Sequence, residues 1–244
     1  MHKTIAVFGT SGAIGHALAE EALKHHDSCD LIAISRSPCK PLGVREGQSV
    51  SYLSGFDLIS EEAVVSAVDA IFERGNPDLV LIATGVLHGE GVTPERRMRE
   101  LDPDALSQML AINLIGPAMI LKHLLTRLPR KHSCRIGVLS ARVGSTSDNR
   151  LGGWYSYRAS KAGLNQLIKT AAIELGRSNP QAVLVGLHPG TVDSDLSAPF
   201  QASVPKGRLF SPDHSAHLLM DVLLSLKPSQ SGLCFDWAGK EVAP

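Results

Sequence analysis

The chain has 244 residues, 43% hydrophobic and 20% charged, with 22 glycines and 14 prolines, which excludes a disordered, collagenous or coiled-coil protein. Its length fits one soluble α/β domain. Lys and Arg total 24 and Asp and Glu total 24, so no electrostatic footprint for nucleic acid or acidic lipid is expected, and a small molecule is the expected partner.

The N-terminal run Thr4 to Phe8 opens the chain as a strand rather than a signal peptide, because it is short, Gly9 breaks it, and Glu20 and Glu21 follow. Further strands are predicted at Asp30 to Ser35, Leu79 to Ala83, Arg135 to Leu139, Ala182 to His188 and Leu233 to Asp236, all continuous apolar runs as in strands buried on both faces. Helices are predicted at Ala13 to His26, Glu61 to Glu73, Asp104 to Leu128, Trp154 to Leu175 and Pro212 to Leu226, with Ser60 and Asp213 at their starts. The alternation predicts a parallel sheet with helices on both faces. Glu90 to Pro103 and Ser194 to Pro212 read as surface loops near a site. The apolar stretch Met109 to Leu121 is interrupted by Asn113, Gly116 and Pro117 and is expected to stay out of a membrane.

Cys29, Cys39, Cys134 and Cys234 form no C-x-x-C pair, and no histidine stands at zinc-ligand spacing. Neither a disulfide framework nor a metal site is expected, and the reducing cytoplasm is the expected location.

Between the first strand and the first helix stands Gly9-Thr10-Ser11-Gly12-Ala13-Ile14-Gly15. Glycines there permit a tight turn and close approach of a pyrophosphate, and the helix beyond offers free N–H groups and a positive dipole end. The second strand runs into Arg36, in the place where a dinucleotide site reads the adenosine ribose; an arginine suits a 2′-phosphate, so NADP is favoured over NAD. A solvated surface arginine is the alternative. Asp57, or the backbone at Leu58, is placed to meet the adenine, with an ordinary loop aspartate as the competing reading.

Tyr157 and Lys161 are four residues apart at helical spacing and share a face. A nearby ammonium favours the phenolate, so the expectation is a Tyr157 acidified enough for general acid/base work. Asn113 interrupts an apolar run, and Pro117, lacking an N–H, deprives the Asn113 carbonyl of its usual helical partner. That carbonyl is then available to a water leading toward Lys161, a proton route; a core asparagine capping a neighbouring turn is the alternative.

The glycine turn, Asn113-Leu114-Ile115-Gly116, Tyr157-x-x-x-Lys161 and Pro189-Gly190-Thr191-Val192-Asp193-Ser194 occur in the order and spacing of the short-chain dehydrogenase/reductase family. The stretch from Ser140 to Lys161 looks especially like the C-factor and sniffer-type carbonyl reductase subgroup. The resemblance implies a single-domain Rossmann-type fold, a doubly wound parallel sheet of about seven strands. It implies Tyr157 as acid/base, Lys161 on the nicotinamide ribose, Asn113 in a proton relay, and the Pro189 to Ser194 loop, including Gly190, the Val192 backbone and the Ser194 hydroxyl, at the nicotinamide. A homodimer or homotetramer is expected on the same ground, with Ala159, Ala162 and Gly163 permitting close helix approach.

Three departures matter. Ala13 replaces a glycine of the more usual turn, and the turn of this chain also lacks the basic residue that NADP-dependent members often carry there. Ala83-Thr84-Gly85 replaces an asparagine-rich segment. Ala141 stands where the family places a catalytic serine, leaving Ser140 and Ser145 as substitutes. The leading reading is an NADP-dependent reductase of a small carbonyl compound; the alternative is a dinucleotide-binding signalling or redox-sensing protein of C-factor type with little turnover. A nucleotide-sugar epimerase or dehydratase ranks third, since few residues remain after Ser194 for a sugar-nucleotide domain.

Overall fold

A computed structural model describes residues 2–89 and 92–244 of the protein. Glu90 and Gly91, where the first predicted loop begins, lie outside the described residues. The strands are β1 (Lys3–Phe8), β2 (Cys29–Ile34), β3 (Gln48–Leu53), β4 (Leu79–Ile82), β5 (Arg135–Leu139), β6 (Val183–His188), β7 (Thr191–Val192), β8 (Leu209–Phe210) and β9 (Cys234–Asp236). The helices are α1 (Ala13–His25), α2 (Glu61–Arg74), α3 (Pro103–Leu110), α4 (Gly116–Leu125), α5 (Tyr155–Ser178) and α6 (Pro212–Ser225).

A seven-stranded sheet has the order β3-β2-β1-β4-β5-β6-β9, and every pairing in it is parallel. This is the doubly wound Rossmann arrangement that the resemblance implied. Alternation of side chains along the strands explains why both faces are covered: Ile5 and Val7 join one core with α1 and α6, while Ala6 and Phe8 join the other with α2, α4 and α5. The order reverses between β1 and β4, which opens a crevice at their carboxyl ends.

Four departures from the predicted elements have local causes. Strand β3 escapes an apolar-run search because it lies at the sheet edge and is mostly half-buried, so Ser49 and Ser51 alternate with Val50 and Tyr52. The predicted second loop contains β8, which pairs with β7, and a 3₁₀ turn at Ala198–Ser203. The start of α6 is capped by Ser211, whose Oγ accepts from His214 N at 3.2 Å; Asp213 lies inside the first turn, where the dipole favours an acid. Ser60, by contrast, caps α2 as expected.

The predicted continuous helix from Asp104 is broken instead into α3, a π-helical turn at Ala111–Ile115, and α4. Together they form a helical stretch of 23 residues from Pro103 to Leu125, long and apolar enough to cross a membrane by length and composition alone, contrary to the shorter run expected. Met109, Asn113, Ile120 and Leu124 on it are buried within the protein, and a third of its most apolar window is buried.

Candidate active site

The crevice is walled by the glycine turn. Gly9 has φ of 90°, and a Cβ there would lie 2.9 Å from the Ala83 carbonyl carbon; a Cβ at Gly15 would lie 2.1 Å from the Gly9 carbonyl oxygen. Only glycine fits at either position. Helix α1 begins at Ala13 with Gly12 as an N-cap that has no side-chain bond, so the first N–H groups, from Ala13 to Gly15, are free for an anion. Ser11, Gly12 and Ala13 are exposed and Ile14 is half-buried along this rim.

Arg36 is exposed beyond β2, and its guanidinium has no ion pair among the described residues. Asp57 is exposed and its carboxylate accepts from Ile59 N at 3.1 Å, closing its own loop. The Leu58 side chain packs over Gly116 of α4. Beyond β4, Ala83 N bonds to Phe8 O, and the buried Thr84 Oγ1 has no hydrogen-bond partner among the described residues. The uncapped helix start, the two glycine clearances and the unpartnered hydroxyl of Thr84, whose backbone adjoins Gly9, fit a bound dinucleotide.

Deeper in the crevice, Gly85 stands between Asn113 and Lys161: a Cβ on it would lie 3.3 Å from Asn113 Oδ1 and 3.6 Å from Lys161 Nζ. Asn113 is fully buried. Its amide clasps Val86, accepting from the backbone N and donating to the carbonyl, each at 2.8 Å, and also donates to Ser160 Oγ at 3.2 Å. The expected kink is therefore a π turn centred on Asn113 itself, and the side chain, rather than only the carbonyl, does the joining.

Lys161 Nζ donates to the Leu139 carbonyl at 3.0 Å and stands 5.9 Å from the centre of the Tyr157 ring. The two residues thus share one face of α5. The electrostatics differ from the sequence expectation: burial pushes the Tyr157 phenol up to about 12, and burial brings Lys161 down to about 8. Desolvation sets both shifts, with the ammonium beside the ring and no hydrogen bond between it and the Tyr157 hydroxyl among the described residues. Tyr157 consequently stays in its protonated form across the neutral range.

Both substitute serines are engaged in hydrogen bonds to other groups. Ser140 Oγ donates to Asn165 Oδ1 at 2.5 Å, and Ser145 Oγ bonds Ser147 Oγ and the Pro244 carbonyl, each at 3.3 Å, while accepting from Asp148 N. Ala141 is buried between them. In the following loop, the Pro189 carbonyl accepts from Ser215 Oγ, Gly190 lies against the Phe210 ring, and Ser194 Oγ donates to the Val192 carbonyl at 3.3 Å. Gly163 lies against Leu114 of the same chain, so its small size serves internal packing.

Several residues were missed from sequence. Glu95 is buried, and its carboxylate receives both the N–H and the hydroxyl of Ser156 in the first turn of α5; its carbonyl accepts from Trp154 N at 2.5 Å. The clamp fixes the residues flanking Tyr157, but one acid in a charged loop carries no local signal. Trp154 stands edge-on to Tyr157 at 6.1 Å and to Phe200 at 5.0 Å, with His88 5.7 Å beyond Phe200.

The sequence profile of the family described as short chain dehydrogenase matches residues 3–204. This chain belongs to that family. Among relatives of this short-chain dehydrogenase, the 1-hydroxy-2-glutathionyl-2-methyl-3-butene dehydrogenase of Rhodococcus sp. (strain AD45) is 28% identical over 230 residues, 94% of each chain. The C-signal protein of Myxococcus xanthus is 33% identical over 144 residues, 59% of this chain and 81% of that one. A short-chain dehydrogenase/reductase structure from Burkholderia multivorans with bound NADP superposes with a TM-score of 0.79 at 25% identity, covering 99% of both chains. As a short-chain dehydrogenase, the protein is an NAD(P)-dependent oxidoreductase.

Proposed function

We propose that the protein reduces a small aldehyde or ketone with NADPH as its preferred cofactor. The observation that carries the proposal is the buried Tyr157 and Lys161 pair on one face of α5, with Gly85 and Asn113 packed beside the lysine. The cofactor, when bound, supplies the hydride that reaches the carbonyl carbon. Gly9 to Gly15 and the α1 start would hold its pyrophosphate, and Arg36 its 2′-phosphate. Tyr157 gives its proton to the substrate oxygen, a role that suits a phenol pushed up to about 12, since it stays protonated across the neutral range. Lys161 would hold the nicotinamide ribose, and Asn113 keeps the 84–86 segment in place against it. Trp154 and Phe200 offer an apolar wall to the substrate. The homo-oligomer expected from the family resemblance belongs to this reading.

The test is NADPH and NADH consumption over a panel of aldehydes and ketones, with the wild type and Arg36→Ala. Loss of a charged bond to phosphate is expected to raise the KM for NADPH about 10- to 100-fold and to leave that for NADH unchanged. Equal effects on both cofactors would remove Arg36 from phosphate recognition.

A second reading is a dinucleotide-binding signalling protein with little turnover. Ala141, with both neighbouring serines bonded elsewhere, favours it. Tight NADPH binding by fluorescence, without oxidation by any compound of the panel, would select that reading.

A further inference from the structure

The sequence offers no histidine pair at zinc-ligand spacing, yet the fold brings one together between α1 and α6. Glu21 and His25 are four residues apart on α1; His217 and Asp221 are four apart on α6. Each pair lies on one helix face, and the two faces meet. Glu21 is only 5% exposed, an unusual place for a carboxylate. Its Oε2 is matched by Lys24 Nζ at 3.0 Å, which leaves Oε1 facing His217 Nδ1 at 2.9 Å and His25 Nε2 at 3.4 Å.

We propose that Glu21 Oε1, His25 Nε2 and His217 Nδ1 form a binding site for a divalent transition metal ion of the zinc class, which clamps α1 to α6. These three atoms lie within 4.8 Å of one another. Tetrahedral zinc with bonds of about 2.0–2.2 Å separates its donor atoms by roughly 3.3–3.6 Å, so small side-chain adjustments complete the three ligands and leave the fourth position to water. Asp221 supplies the carboxylate that usually stands behind a metal-bound imidazole: its Oδ2 lies 3.6 Å from His217 Nε2. Binding exchanges the proton between His217 Nδ1 and Glu21 for the metal and keeps the Lys24 pair on the other oxygen. Glu21 is eight residues into α1, about 12 Å along its axis from the phosphate-binding end, so the site is separate from the catalytic groups.

The experiment uses the full chain without a histidine tag, dialysed against chelator and titrated with Zn²⁺ by calorimetry, and with Co²⁺ by visible absorption. One ion per chain is expected, with the intense visible bands of tetrahedral cobalt and a rise in thermal midpoint on adding Zn²⁺. His25→Ala and His217→Ala should each weaken binding at least about tenfold and suppress the thermal rise, with reductase activity in the absence of metal unchanged. His123→Ala, at the exposed Glu61 pair on another surface, should leave binding intact. Because His25 and His217 are exposed, both variants should fold even if Glu21→Gln does not. Absence of stoichiometric binding, retention of full affinity in both histidine variants, or its loss in His123→Ala would each overturn the proposal and leave the cluster as an ion pair.

Discussion

Because burial holds the Tyr157 phenol near 12, the residue is protonated at neutral pH and little of it is the phenolate that could take a proton. In a reductase this predicts a rate of carbonyl reduction that holds from neutral into alkaline pH, with the reverse alcohol oxidation, which needs the phenolate, rising with pH throughout; kcat profiles in both directions measure this. Tyr157→Phe should lower kcat about 10²- to 10⁴-fold and leave dinucleotide affinity nearly intact, and unchanged turnover would take Tyr157 out of the chemistry. Ala141 makes the opposite prediction. Ser140 and Ser145 use their hydroxyls on Asn165 and Pro244, and Ala141 between them has none to offer. Ala141→Ser should therefore raise kcat/KM, by up to about 100-fold if the added hydroxyl acts as an oxyanion donor. A rate that stays flat, with the fold intact, would mean that another group already supplies that bond.

Helix α5 is placed by contacts at its start rather than by its own cap. Trp154 precedes it in the left-handed region with φ of 52°, a conformation that costs energy for a large side chain, and the Glu95 bonds to Trp154 N and Ser156 hold it there. The π turn at Ala111–Ile115 has a similar logic: it supplies the extra residue that swings Asn113 toward Val86 and Ser160. Asn113→Ala would leave the Val86 N–H and carbonyl without their partner. Stability should fall by about 2–3 kcal/mol, or roughly 4–12 °C in thermal midpoint, with reduced cofactor affinity because the 84–86 segment loosens. Calorimetry would show it, and an unchanged midpoint would mean that water satisfies both groups. Of these elements, the strand–turn–helix order and the Tyr157 and Lys161 face of α5 were legible in sequence because apolar runs, four-residue helical spacing and a glycine-rich turn are local. The π turn was not: Pro117 marks a disturbance, but only packing against Val86 decides how the helix absorbs it.

The acid stability of the molecule depends on a histidine outside the chemical step. His188, at the end of β6, is held down to about 4 by burial, with Arg142 adding to the depression and Asp236 opposing it. The unfolded chain takes up the proton near pH 6.5 and the folded one only near 4, so stability is complete above the unfolded value and falls as pH drops through this window. A shift of that size corresponds to about 3 kcal/mol. His188→Gln should flatten the loss of stability between those pH values in denaturant titrations, and an identical acid limb in the variant would assign it to other groups.

The doubly wound class and the missing serine at Ala141 came from the order of motifs along the whole chain and the family resemblance it carries; the glycine turn and the shared face of Tyr157 and Lys161 came from the amino-acid order alone, because each depends on spacing within one or two turns of chain. Tertiary structure decided the protonation of that pair, the partners of Ser140 and Ser145, the Glu95 clamp across 61 residues and the meeting of Glu21 with His217 across 196. The physical reason is that desolvation and hydrogen-bond partners belong to the space around an atom, and that space is filled by segments whose arrival no local pattern specifies.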